Sequence, residues 1–255
     1  MPTLSQEQWI FAIIGAICVG LGKGGIPGIG NLTVAIYAQI FSPKESVGIL
    51  LPVLIFADVV AIVIYRQHAE WKMIAKLFPI SAAGVILATF LFNTIPADLF
   101  QVIIGSILLI MTGLHFLKKQ LDLRRPTAIK NGLPYEKSKW FVICTGLLGG
   151  VATMLANAAG PIAAFYLMAM KLPKYAFIST SAWFFFLINV FKIPFQASLD
   201  NISFTSLQLS IALGLVAAVS AGIAPQIVKY IPQKQFSTLI WMLIIISGLK
   251  MVIHV

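Results

Sequence analysis

Apolar residues run in ten blocks along the chain, at residues 9–21, 29–41, 46–65, 74–92, 98–117, 140–156, 160–170, 175–197, 205–228 and 235–253. A helix needs roughly 20 residues to cross the ~30 Å hydrocarbon core of a bilayer. Six blocks are read as long enough to span: 46–65, 74–92, 98–117, 175–197, 205–228 and 235–253. The other four form two adjacent pairs of shorter segments; residues 29–41, for example, would rise only ~20 Å as helix. Glycine and proline interrupt each pair, as GLGKGGIPGIG at 20–30 and ANAAGP at 156–161. Lipid offers no partner to the backbone groups freed there, so they must be buried in protein or face a wet cavity.

Composition agrees with this pattern. Apolar residues make up 59% of the 255 positions and charged residues 10%, whereas soluble domains carry about a quarter charged residues. Such a chain cannot coat a water-facing surface, and eight to ten helical passes leave no length for a second soluble domain. The formal net charge of +10 would raise nucleic-acid binding in a soluble protein. Here the basic residues fall between the apolar blocks, which is the distribution that positive-inside bias produces. Cys18 and Cys144 lie within apolar stretches and form no metal or disulfide framework. The first block follows Glu7 and Gln8 with no basic residue ahead of it, so it is expected to be structure and not a cleaved leader.

Lysine and arginine placement predicts the topology. Lys118, Lys119, Arg124, Arg125, Lys130, Lys137 and Lys139 fill one long connection, and Arg66, Lys72 and Lys76 mark another. With Lys171, Lys174, Lys229 and Lys234, these are assigned to the cytoplasmic side, leaving both termini outside. The halves repeat: SPKESVG at 42–48 follows the first short pair, and LPKYAFI at 172–178 follows the second. The loop at 65–76 is assigned inside and its counterpart near 198–206 outside. The expected fold is therefore an all-α integral membrane protein of two inverted repeats, each a broken short-helix pair plus three transmembrane helices. The first repeat covers residues 1–117, a basic linker 118–139, and the second repeat 140–255. Broken helices at matching places in inverted halves point to a secondary transporter with its site near the midplane.

Few polar residues inside the blocks could carry chemistry. Lys23, flanked by Gly24 and Gly25, would make an anion-binding tip of an ammonium and nearby helix N–H groups; otherwise it snorkels to an interface. The GxGxxG spelled by Gly20 to Gly25 needs a preceding strand and a βαβ unit, and neither fits. Asn157, ahead of Gly160 and Pro161, could bind an oxyanion or cap the helix that begins near Pro161. Thr180 can donate a hydroxyl, and Asn189 and Lys192 share one helix face at a spacing of three. Lys192 has snorkelling as its alternative. Asp58 is the one acid well inside an expected span, either neutral or paired with Lys23 or Lys192, with a weaker reading as a coupling or gating group. His68, His115 and His254 cluster with no ligand partners, so neither a metal nor a cofactor is expected.

At these motifs the chain resembles the sulfite exporter TauE/SafE family of membrane permeases. GLGKGGIPGIG and MLANAAGPIAAFYLM resemble its two signature segments, and PKESVGILLPVLIFADVVAIVIYRQH and KLPKYAFISTSAWFFFLINVFKIPF resemble the segments that follow them. The resemblance implies transport of sulfite, thiosulfate, sulfonates or related organic anions across a bacterial inner membrane. It also implies a site lined by Lys23, Gly24, Gly25, Asn157, Gly160 and Pro161, with Thr180, Asn189 and Lys192 as neighbours. The family's Gly in the second motif is here replaced by Ala158 and Ala159. The expected partners are a small anion, the lipid bilayer, a coupling proton or sodium ion and a second copy of the chain; nucleic acid is not among them. An anion channel, or a cation or neutral-solute transporter built on Asp58, are the rival readings. Membrane-impermeant labelling of Glu45→Cys and Lys174→Cys should reach the two positions from opposite faces. Labelling from one face alone would remove the inverted arrangement.

Overall fold

The structure, a computed structural model, describes residues 4–26, 29–91 and 138–253 together with scattered positions between 102 and 116. The expected span 98–117 and linker 118–139 thus lie almost entirely outside the described residues. Among those described, all regular structure is helical: α1 (Gln6–Lys23), α2 (Ile29–Ile40), α3 (Pro43–Tyr65), a 3-10 turn at Arg66–His68, α4 (Trp71–Leu91), α5 (Lys139–Ala156), α6 (Gly160–Ala169), α7 (Lys174–Ser198), α8 (Phe204–Val228) and α9 (Gln233–Ile253).

Capping sets several helix starts. The Ser5 and Gln8 side chains each accept from the other's backbone N–H at 3.3 and 3.0 Å, and Ser42 and Glu45 repeat the device ahead of α3. Two orphan donors are satisfied at each start, which carries α1 upstream of its expected beginning at residue 9. Pro52, Pro194 and Pro225 lie inside continuous helices. Five helices among the described residues are long and apolar enough to cross a membrane: Glu45–His68, Trp71–Leu91, Lys139–Ala156, Lys174–Ser198 and Phe204–Val228. The third corrects the sequence reading, which classed residues 140–156 with the short segments. Helix α5 starts at Lys139 and runs 18 residues, about 27 Å at 1.5 Å per residue. Helices α2 and α6 are indeed short, at 12 and 10 residues.

Small residues set the close crossings. Helix α1 packs on α8 and α5 on α4. A Cβ at Gly20 would collide with the Ala217 carbonyl oxygen, and one at Gly150 with the Ser81 carbonyl oxygen. Backbones approach this closely only where no side chain intervenes. The pairings keep their pattern when α1, α2, α3 and α4 are exchanged with α5, α6, α7 and α8: α1 on α8 becomes α5 on α4, and α3 on α8 becomes α7 on α4. Helices α3 and α7 pair with each other and run antiparallel. Tyr65, at the end of α3, stacks on Tyr175 at the start of α7, while Gly48 near the start of α3 abuts Asn201 just beyond the end of α7. Glu45 and Lys174 therefore lie at opposite ends of this pair.

One apolar cluster draws on α1, α2, α3 and α8 around Tyr37 and Leu213. Another draws on α5, α6, α7 and α9 around Phe165 and Tyr166. The α3–α7 seam joins them. Outward faces carry large exposed apolar side chains such as Val63, Phe90 and Val219, the surface expected of a molecule solvated by lipid. Gly150→Ala should force α4 and α5 apart and lower the melting temperature in detergent, at a cost of about 1–3 kcal/mol. Gly222→Ala, where a Cβ meets nothing within 4 Å, should leave it unchanged or raise it; equal effects would refute the close crossing.

Candidate functional site

The α3–α7 seam is apolar except for a column of polar groups. On α7, Phe185, Asn189, Lys192 and Gln196 fall at spacings of four, three and four residues, which places them on one helix face. Asn189, Lys192 and Gln196 are each at most 1% exposed. Opposite them on α3 is Asp58, with no exposed surface. Its Oδ1 is 2.7 Å from the Lys23 Nζ, and its Oδ2 accepts from the Asn189 amide at 2.9 Å. The Lys23 ammonium also lies 4.1 Å above the centre of the Phe185 ring, a stabilising cation–π placement. Asp58 thus pairs with Lys23 and not with Lys192, one of the two partners the sequence left open.

Lys192 is fully buried, so it does not snorkel. Its Nζ donates to the Thr153 carbonyl at 3.0 Å, to Thr153 Oγ1 at 3.0 Å and to Asn157 Oδ1 at 2.6 Å. The Asn157 amide donates in turn to the Val47 carbonyl at 3.2 Å, tying the second break to α3. Asn157 takes a left-handed backbone, φ 51°, and ends α5, a conformation that asparagine tolerates better than most residues. It does not cap α6, whose N-cap is Ala159 with no side-chain bond. Pro161 has no N–H, and the N–H groups that open α6 at Gly160 and Ile162 are consequently not met by a side-chain cap.

Both lysines serve helix ends. Lys23 is the last residue of α1, and Lys192 reaches the last turn of α5 through Thr153. Helix C-termini carry partial negative charge from unsatisfied carbonyls and favour cations there. The two breaks sit at different depths along α3. The first meets its Tyr65 end, where the Tyr65 hydroxyl donates to the Gly24 carbonyl at 3.0 Å; the second meets Val47. Eighteen residues separate these contacts, about 27 Å of helix, with Asp58 between them. Gly25 has φ 107°, and a Cβ there would press on Ile178, so glycine suits this close approach.

The structure gathers Lys23, Asp58, Asn189, Lys192 and Asn157 into one column, with Gly160 and Pro161 beginning the next helix. Thr180 lies apart: its hydroxyl accepts from the Glu70 backbone N–H at 3.0 Å and anchors the α3–α4 connection. Sequence reasoning missed Thr153, Gln196 and Phe185. Gln196, which donates to the Met154 carbonyl at 2.9 Å, was within reach as the next polar residue on the Asn189–Lys192 face. Thr153 carried no signal of its own. A cavity of about 570 Å³ opens elsewhere, among His68, Glu70, Lys174, Tyr175, Lys229 and Gln233. It lies at the basic end of the bundle, where Lys174 Nζ donates to the carbonyls of Val228 and Ile231 at 3.0 and 2.7 Å.

The profile of the family described as Sulfite exporter TauE/SafE matches residues 12–251. The chain therefore belongs to that family, a family of membrane permeases. No curated protein and no solved structure matches it.

Removing one member of a buried ion pair strands the other and costs about 3–5 kcal/mol. Lys23→Met and Asp58→Asn should each lower the melting temperature. The double variant should recover most of the loss, because both members leave together. Strictly additive losses would mean that the pair does not form in the membrane.

Proposed function

From that family membership, we propose that the protein carries a small sulfur oxyanion or an organic sulfonate across a bacterial inner membrane by alternating access. The substrate site is the polar column on the α3–α7 seam, between the two helix breaks. One observation carries this reading. Lys192 is fully buried and, among the described residues, its ammonium meets only neutral acceptors, while the buried carboxylate of Asp58 is taken up by Lys23 and Asn189. A charge in an apolar interior is costly unless paired, and unpaired charges there mark substrate paths. An anion beside Lys192 completes the site, with the opening N–H groups of α6 supplying further donors.

Lys192 is then the first contact, the anion displacing one of the three neutral acceptors of its ammonium. Lys23, neutralised by Asp58 in the observed state, becomes available to the anion when that pair opens. The two inverted halves are supported by the exchange symmetry of the helix pairings and by the antiparallel α3 and α7. The end bearing Arg66, Lys174 and Lys229 is the cytoplasmic one under positive-inside bias, which leaves both termini outside. Breaks at two depths favour alternation, since a rocking half would open the column towards one break and close it at the other. A proton or sodium ion is the coupling partner, and a second copy of the chain the partner in the membrane.

Proteoliposomes loaded with unlabelled sulfite or a sulfonate should take up the labelled compound by counterflow. Lys192→Met and Lys23→Met, each monodisperse on gel filtration, should lower that flux at least tenfold. Lys192→Met should also abolish anion-dependent thermal stabilisation, which for wild type at 100 times Kd amounts to about 2.7 kcal/mol. Unchanged flux in Lys192→Met, or conductance without counterflow, would overturn the proposal.

A further inference from the structure

We infer that Asp58 sets the valence of the transported anion: the buried charges of Lys23, Asp58 and Lys192 leave one net positive charge, which a monovalent oxyanion cancels and a divalent one exceeds. The inference rests on the reading that the α3–α7 column binds the substrate anion.

The protonation states follow from geometry. Asp58 Oδ1 pairs with the Lys23 ammonium at 2.7 Å, and Oδ2 accepts from the Asn189 amide at 2.9 Å. An adjacent cation and an amide donor both favour the ionised carboxylate. The Lys192 Nζ has three acceptors between 2.6 and 3.0 Å, which match the three protons of an ammonium. Two cations and one carboxylate remain.

Nothing nearby among the described residues changes that count. Among the described residues the buried charged side chains are Asp58, Lys174 and Lys192, with the Lys23 side chain 16% exposed. Lys174 is the first residue of α7, and its ammonium is bound to the Val228 and Ile231 carbonyls at the basic end, away from the column. Helices α2, α6 and α8 contain no charged residue. The partial negative end of α5 and the partial positive end of α6 meet at the same break and cancel to first order. In a low-dielectric interior a net charge is penalised whichever its sign. A monoanion brings the column to neutrality, whereas a dianion leaves it negative. Asp58→Asn keeps the side-chain shape and an oxygen for the Asn189 amide, yet adds one positive charge. That variant should favour the dianion.

Methanesulfonate and sulfate test this, being tetrahedral, similar in size and different by one charge. Binding to the purified full chain in detergent at pH 7.5 would be followed by isothermal titration and thermal shift. Wild type should bind methanesulfonate at least tenfold more tightly than sulfate, and Asp58→Asn should reverse the preference by at least tenfold. Should Asp58→Asn not fold, the double variant Lys23→Met with Asp58→Asn restores the original net charge and should keep the wild-type preference. Equal affinities in wild type, an unreversed preference in Asp58→Asn, or a double variant that prefers sulfate would each overturn the role of Asp58 while leaving the anion site standing. Failure of wild type to bind either ion would overturn the anion site together with it.

Discussion

A helix end packed against protein leaves its last carbonyls without partners unless nearby groups meet them, and two helices here end against α3. Helix α1 ends at Lys23 and α5 at Ala156. A lysine lies at each end, Lys23 as the last residue of α1 and Lys192 bonded to the Thr153 carbonyl of α5, and each charge must also be balanced. The first break answers with Asp58. The second answers only with neutral groups, Thr153 and Asn157. The rest of the site is a consequence of how these two debts are settled.

The two breaks host unequal chemistry. Helix pairings recur when α1 to α4 are exchanged with α5 to α8, but the side chains at the breaks differ. The first break carries its lysine on its own helix, while the second borrows one from α7 across the seam. Asp58 and Asn189 meet where α3 crosses α7, so acid and amide face each other at the junction of the halves. The two breaks lie at different depths along α3, and Lys192, met by neutral groups among the described residues, sits at the second of them.

Glycine and alanine make the arrangement sterically accessible. Gly20 lies against Ala217, Gly150 against Ser81 and Gly48 against Asn201, in each case close enough to exclude a Cβ. With larger residues the helices would stand apart, and the Lys192 ammonium could not reach the α5 carbonyls. In lipid, where hydrophobic burial does not drive helices together, such contacts and the hydrogen bonds of the column supply association.

Much was legible from the residues alone, because lipid imposes lengths and polarities that soluble folds do not. Apolar blocks gave the helices, Gly and Pro gave the breaks, and the rarity of intramembrane charge singled out Lys23, Asp58 and Lys192. Periodicity also placed Asn189 and Lys192 on one face. The 140–156 block reads as short although α5 adds only Lys139 to it, because its 17 residues lie at the lower limit of what spans a bilayer. Pairing was beyond the sequence: Asp58 had two lysines within reason, and only the crossing of α1 with α3 selects Lys23. Nor could it show that Lys192 is buried and not at an interface, or that Asn157 ends α5 instead of capping α6. Those depend on which helix faces which, a property of several distant segments together, and a single segment's pattern does not contain it.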